Sequence, residues 1–136
     1  MKLKYLLDSD VFSLMVKGTD EAINTRMETL TRGEATLSVV TTGEYFYGVA
    51  HAPISALREK RAKRLIEFLG VLPIDEAVGV AYGRIRADLR AKGTPIGPND
   101  LWLAAQAKAH GLVMVTRNAR EFKRVAGLKV EGWEVK

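Results

Sequence analysis

Asp8, Glu44, Asp100, Asn118 and Glu121 carry oxygen-bearing side chains at corresponding places in the chain, just past an apolar run or in the first turn of a helical segment. Asp8 closes the run Leu3–Leu7, Glu44 lies four residues beyond a β-branched run ending at Val40, and Asp100 opens an alanine-rich segment. Asn118 and Glu121 follow the apolar stretch Leu112–Thr116. Three carboxylates drawn into one place repel one another, so they must take up protons or a cation. Hard divalent ions such as Mg²⁺ and Mn²⁺ prefer oxygen ligands and bind through a few carboxylates, waters and substrate phosphates. Such an ion lowers the pKa of its water and clamps the oxygens of a phosphoryl centre, so the chemistry implied is phosphodiester cleavage. A competing reading applies to each residue alone. Acids and amides are favoured at helix N-termini because they cap free N–H groups and suit the helix dipole. Thr41-x-x-Glu44 and Asn118-x-x-Glu121 both fit the capping-box pattern, and Ser9 fits an N-cap. Capping does not account for all of them falling at one edge of a sheet.

That edge has to be built by the elements around them. Hydrophobic periodicity and turn signals predict strands over residues 3–7, 35–40, 71–74, 112–116 and 128–135. They predict helices over 10–17, 20–32, 41–51, 54–69, 76–92 and 98–110, with a short turn of helix over 118–123. Gly18, Gly33 and Gly111 mark helix ends, Pro53 breaks a helix, and Pro98 sits well at a helix entry. Pro73 marks the third strand as an edge or an irregular end. Strands alternating with helices imply a parallel sheet covered on both faces, with functional groups beyond the carboxyl ends of its strands.

The 136 residues are expected to form a single domain, 1–136, large enough to bury a core without disulfides. A content of 47% hydrophobic and 27% charged residues is that of a folded globular chain and excludes a disordered one. The absence of cysteine excludes disulfides and thiolate metal sites and fits a cytoplasmic location. The apolar run at the N-terminus is too short for a signal peptide or a membrane span, so no membrane partner is expected. A net charge of +5 favours a polyanionic partner.

Four segments together resemble the PIN-domain ribonucleases, specifically VapC-type toxins of toxin–antitoxin pairs. They are Leu6-Leu7-Asp8-Ser9-Asp10, the stretch from Ser38 to Gly48 that holds Glu44, the stretch from Ile96 to Ala105 that holds Asp100, and Val115-Thr116-Arg117-Asn118-Ala119-Arg120-Glu121-Phe122. The resemblance spans nearly the whole chain. It implies a three-layer α/β/α sandwich with a five-stranded parallel sheet. It also implies a Mg²⁺- or Mn²⁺-dependent endoribonuclease that leaves 5′-phosphate and 3′-hydroxyl ends, a cognate antitoxin and a homodimer. By motif, Asp8, Glu44 and Asp100 take the main acidic positions and Ser9 the supporting hydroxyl. The chain departs from many relatives at Asn118, where a fourth acid is common, and at Asp10, where asparagine is common. Asn118 weakens the case for a second ion, and Glu121 is a candidate to compensate.

Two other readings remain open. Leu7-Asp8-Ser9-Asp10-Val11 also fits the opening of a haloacid-dehalogenase-like phosphatase, with Asp8 as covalent nucleophile. A non-catalytic RNA-binding PIN module would keep the acids only as caps. Elsewhere, Arg58, Lys60, Arg61, Lys63 and Arg64 read as a solvated helix face or, alternatively, an RNA or partner surface. Arg84, Arg86 and Arg90 form a second basic group open to the same two readings. Tyr45, Phe46, Tyr47, Trp102 and Trp133 read as packing, and His51 and His110 as structural, without zinc-ligand spacing.

Overall fold

The computed structural model describes residues 2–134. Five short strands, β1 (Tyr5–Leu7), β2 (Ala35–Ser38), β3 (Val71–Leu72), β4 (Val113–Val115) and β5 (Val130–Glu131), form one sheet. The helices are α1 (Ser9–Lys17), α2 (Glu21–Thr29), α3 (Val39–His51), α4 (Ala56–Leu69), α5 (Glu76–Ala91), α6 (Pro98–His110) and α7 (Ala119–Phe122). The strand order is β3-β2-β1-β4-β5, and every pairing is parallel. The expected α/β sandwich with a five-stranded parallel sheet is therefore what the chain adopts. Parallel pairing explains why Tyr5, Leu6 and Leu7 are all buried, because both faces of β1 are covered.

Alternate residues of the strands feed two separate cores. Tyr5, Leu7, Ala35 and Leu37 pack with Val11, Phe12, Met15 and Val16 of α1, Ile23 of α2 and Ala62 and Leu69 of α4. Leu6 and Met114 face the other way, onto Val78, Ile85 and Leu89 of α5, Leu101 to Ala107 of α6, and Phe122 of α7. Alanines at 104, 105 and 107 let α6 lie close to the sheet and to α5.

Several boundaries differ from the sequence reading, each for a local reason. β2 stops at Ser38 rather than Val40, because the Ser38 hydroxyl accepts from the Val40 N–H at 3.0 Å and starts α3 there. The capping box read at Thr41 and Glu44 is thereby overturned. Thr41 and Glu44 sit within the helix, and their side chains are released from capping. α2 ends at Thr29, short of the expected 32, because Leu30 turns out of the helix to join the core. A turn from Thr31 to Glu34 then uses Gly33 at φ +90°. β5 covers only two residues of the expected 128–135 span, and Val135 lies outside the described residues.

α1 ends at Gly18, where φ is +70°, and Arg61 of α4 donates to the Val16 and Lys17 carbonyls, both at 2.8 Å. Arg61 thus leaves the solvated basic face expected of α4 and satisfies the C-terminus of α1. Any Cβ at Gly18 would fall 2.7 Å from that guanidinium. Tyr45 packs edge-to-face on Phe12, as expected, but Phe46 and Tyr47 point outward, 60% and 70% exposed. Trp133 is buried against Tyr5.

Candidate active site

The chain runs β1-β2-β3 to one side and then crosses to β4 and β5 on the other. The strand order therefore reverses between β1 and β4, and such a reversal opens a crevice at the carboxyl ends. Asp8, the first residue past β1, sits at that point. Its backbone N–H donates to Val115 of β4 at 3.0 Å. One oxygen, Oδ1, caps α1 by accepting from the Val11 N–H at 2.9 Å. The other, Oδ2, accepts a short hydrogen bond from the buried hydroxyl of Thr116, just past β4. The Thr116 hydroxyl in turn accepts from the Asn118 N–H at 2.8 Å. Asp8, not Ser9, is the N-cap of α1, which corrects the reading of Ser9.

Ser9, in the first turn of α1, instead directs its hydroxyl across to α3. It stands 2.9 Å from Glu44 Oε1 and 3.3 Å from Thr41 Oγ1. Because α3 starts at Ser38, Glu44 lies in the second turn and its exposed carboxylate turns toward α1. α6 precedes β4 and runs back against the strands, so its N-terminus lies at their carboxyl edge. Asp100, in its first turn, arrives there. Asp8, Ser9, Asp10, Glu44, Asp100 and Asn118 all border one pocket of about 300 Å³, together with Gly97 and Pro98.

Glu121 stands behind Asp100. It accepts from the Gly97 N–H at 2.8 Å through Oε1 and from the Asn118 amide through Oε2. A Cβ at Gly97 would lie 3.8 Å from both the Asp100 and the Glu121 carboxylates. The capping box read at Asn118 and Glu121 is not formed, since Asn118 makes no side-chain cap. Glu121 ties the loop before α6 to the segment after β4.

The electrostatics follow from this crowding. Burial pushes the Asp8 carboxyl from its ordinary 3.8 up to about 6. The hydrogen bonds from Thr116 and Val11 act against that rise, while the charges of Asp10 and Glu134 add to it. Asp100 is pushed up to about 7, first by burial, then by the charge of Glu121 and a hydrogen bond to it, then by Asp8 and Glu44. Each of these carboxyls resists ionisation first because it is buried and then because other carboxyls stand near it, and a positive ion among them would favour the charged forms. Among the described residues, no three carboxyl or imidazole groups close into a ready-made cage. Asp8, Glu44 and Asp100, which border the pocket, are the residues that could hold a hard divalent ion of the kind that takes one or two carboxylates and keeps several waters.

Sequence reasoning missed three parts of this site. Thr116 was read only as a strand end, although a hydroxyl closing a run of Leu, Val and Met has to find a buried partner. Thr41 was read as a cap. Glu134, whose charge reaches Asp8 and whose Oε2 is buried with no hydrogen-bond partner among the described residues, carried no signal at all.

The PIN domain family pattern matches residues 5–128. This chain belongs to the PIN-domain family, in its VapC branch. It is 34% identical to the tRNA(fMet)-specific endonuclease VapC of Shigella flexneri over 131 residues, covering 96% of this chain and 98% of that protein. It is 33% identical to ribonuclease VapC2 of Haemophilus influenzae over 134 residues, with the same coverage. Among solved structures, it superimposes on a chain of DNA-bound VapBC from Salmonella typhimurium, with a TM-score of 0.84 and 36% identity over 96% of this chain and 98% of that one. VapBC2 of Rickettsia felis, bound to a promoter DNA fragment, gives a TM-score of 0.88 at 25% identity, over 97% of this chain and 100% of that one. The four segments that carried the resemblance are the ones that border the VapC pocket here. Membership of this family also sets aside the phosphatase reading.

Proposed function

We propose that this chain is a Mg²⁺- or Mn²⁺-dependent endoribonuclease, the toxin of a toxin–antitoxin pair, acting in the cytoplasm as a homodimer held in check by a cognate antitoxin. One observation carries the enzymatic part. Carboxylates from three distant stretches of chain share one pocket at the sheet's switch point, and two of them resist ionisation there. The relatives' names, endonuclease and ribonuclease, support the same reaction class. The VapBC structures support an antitoxin partner. No helix among the described residues is long and apolar enough to cross a membrane.

Asp8 and Asp100 are the residues that would hold the cation, with Glu44 reaching it through water. When bound, the cation stabilises charge on the phosphoryl oxygens and makes water a better nucleophile. The protein's own groups do the rest. Thr116 and the Val11 N–H fix both oxygens of Asp8. Glu121 holds the Gly97 loop and the Asn118 amide, and so sets the approach of Asp100. Glu44, oriented by Ser9 and exposed at the mouth, takes a proton from the attacking water. The water oxygen bonds to phosphorus in line, the bond from phosphorus to the 3′ oxygen breaks, and that oxygen takes up a proton from solvent water. The products are a 5′-phosphate and a 3′-hydroxyl.

The test is sequencing of RNA ends produced in cells on induction, with Asp8→Asn as control. New ends bearing 5′-phosphate in the wild type and absent from Asp8→Asn are expected. Identical ends in the two would mean the cuts are made by another enzyme. Tight RNA binding without cleavage, unchanged by Mn²⁺, would select a non-catalytic RNA-binding PIN module instead.

A further inference from the structure

The hollow beside the acidic pocket has the opposite charge. It measures about 370 Å³ and is bordered by Tyr82, Arg86 and Arg90 of α5 and by Ile96, Pro98 and Leu101. Pro98 is a wall common to both cavities, and Leu101 follows Asp100 directly in α6. Tyr82, Arg86 and Arg90 recur every four residues and so form one stripe on α5. Both arginines are exposed. Among the described residues neither has a carboxylate within ion-pair distance, and the nearby Asp88 pairs with Lys92 at 2.9 Å.

Two guanidiniums at i and i+4 without an acid between them cost helix stability. A bound anion relieves that cost. Arg86 is also held in place, since its Nη1 donates to the Tyr82 hydroxyl at 3.0 Å. The Tyr82 ring is stacked on Trp102 of α6, with centroids 3.8 Å apart and planes 16° from parallel. The charge is thus fixed by an aromatic pair to the helix that carries Asp100. The acidic pocket by itself repels a polyanion, so a nucleic-acid substrate needs fixed cations next to it. A second copy of this chain related by a twofold axis through this spot would set arginine against arginine, which charge complementarity disfavours.

We infer that the Tyr82–Arg86–Arg90 stripe is the subsite that holds a backbone phosphate of a nucleotide flanking the cleaved bond in single-stranded RNA. The inference rests on the endoribonuclease reading and adds to it where the strand lies, namely from the acidic pocket over Pro98 onto α5.

The experiment uses the purified full chain and cleavage of a labelled single-stranded 12-nucleotide RNA in Mg²⁺ at several salt concentrations. In the Arg86→Ala/Arg90→Ala double variant, KM is expected to rise about tenfold with kcat within about twofold. The salt dependence of log(kcat/KM) is expected to fall by about 0.7, the value for one phosphate contact on a single strand. Arg86→Lys/Arg90→Lys should recover most of the KM. The charge-matched, equally exposed pair Lys60→Ala/Arg64→Ala on α4 should leave KM within about twofold. An unchanged KM in the α5 double variant overturns the subsite, and so does an equal rise in both double variants, which would mean diffuse attraction only. A shift of the α5 variant's sedimentation with KM unchanged would assign the hollow to a second copy and overturn it as well. If the wild type itself cuts no RNA, the endoribonuclease reading falls first, and that result is visible before any variant is compared.

Discussion

Asp8 and Asp75 occupy the same local position in two parts of the molecule. Each follows a strand segment, each has extended backbone, and each caps the next helix with Oδ1, from Val11 at 2.9 Å and from Val78 at 3.0 Å. They differ in what their second oxygen meets. Asp75 Oδ2 is half-exposed and 3.4 Å from the imidazole of His110, at the far end of α6. Asp8 Oδ2 is buried against Thr116, with Asp10, Glu134 and Asp100 in electrostatic range. The same residue in the same cap is a finished piece of local structure after β3 and a buried charge among like charges after β1. What separates them is company from elsewhere in the chain, which no window around either residue contains.

Asparagine at both positions separates the two roles most strongly, because it keeps the cap oxygen and removes the charge. Asp8→Asn should lower RNA cleavage by about 10²–10³-fold, the range for losing one electrostatic group aimed at the reacting centre. Asp75→Asn should leave cleavage within about twofold and stability within about 0.5 kcal/mol. In the absence of divalent cations at pH 7.5, Asp8→Asn should melt at a higher temperature than the wild type, since it discards a buried charge among like charges. Comparable activity loss at both sites, in a cleavage assay at saturating Mg²⁺, would erase the distinction.

The pH dependence of the wild type sharpens the same contrast. Asp8 and Asp100 have folded pKa values of about 6 and about 7, above their ordinary 3.8. Between those limits the folded state binds more protons than the unfolded state, so stability must fall as pH rises from about 4 to about 7. For Asp8 a rise of about two pKa units corresponds to roughly 2–3 kcal/mol, and the more exposed Asp100 adds less. Chemical denaturation in EDTA should show this decline, and Mg²⁺ should flatten it. A slope identical with and without Mg²⁺ would detach the acidic pocket from cation binding. The same titration in Asp75→Asn should retain the slope.

The smallest effect tests where α3 begins. Ser38→Ala removes the observed cap and should cost about 1 kcal/mol in thermal unfolding. Thr41→Ala should cost less and act through the site, because its hydroxyl faces Ser9 rather than a helix terminus. A larger loss from Thr41→Ala would restore the cap read from the sequence.

The elements were legible because their signals are local. Leu6 and Leu7 sit in an apolar run that only a two-sided burial accounts for. Gly18 and Gly111 end α1 and α6 with φ near +70° and +64°, as a glycine after a periodic run predicts. Asp8, Glu44 and Asp100 were legible as a set because parallel strands send their ends to one edge. Ser38 was not legible as the cap of α3. Both Ser38 and Thr41 are good caps, and the choice between them depends on where β3 and the α1 side of the sheet release the chain. Glu121 read as a capping acid, yet its partner is the backbone of Gly97, twenty-four residues earlier.

The amino-acid order by itself determined the alternation of strands and helices, their parallel arrangement and the residue types at each strand end, because hydrophobic period and glycine geometry act over a few residues. Only the tertiary structure decided which of those residues are caps and which are charges in waiting. A carboxyl's proton affinity is set by burial and by neighbours within a few ångströms, and for Asp8 and Asp100 most of those neighbours come from other elements of the fold.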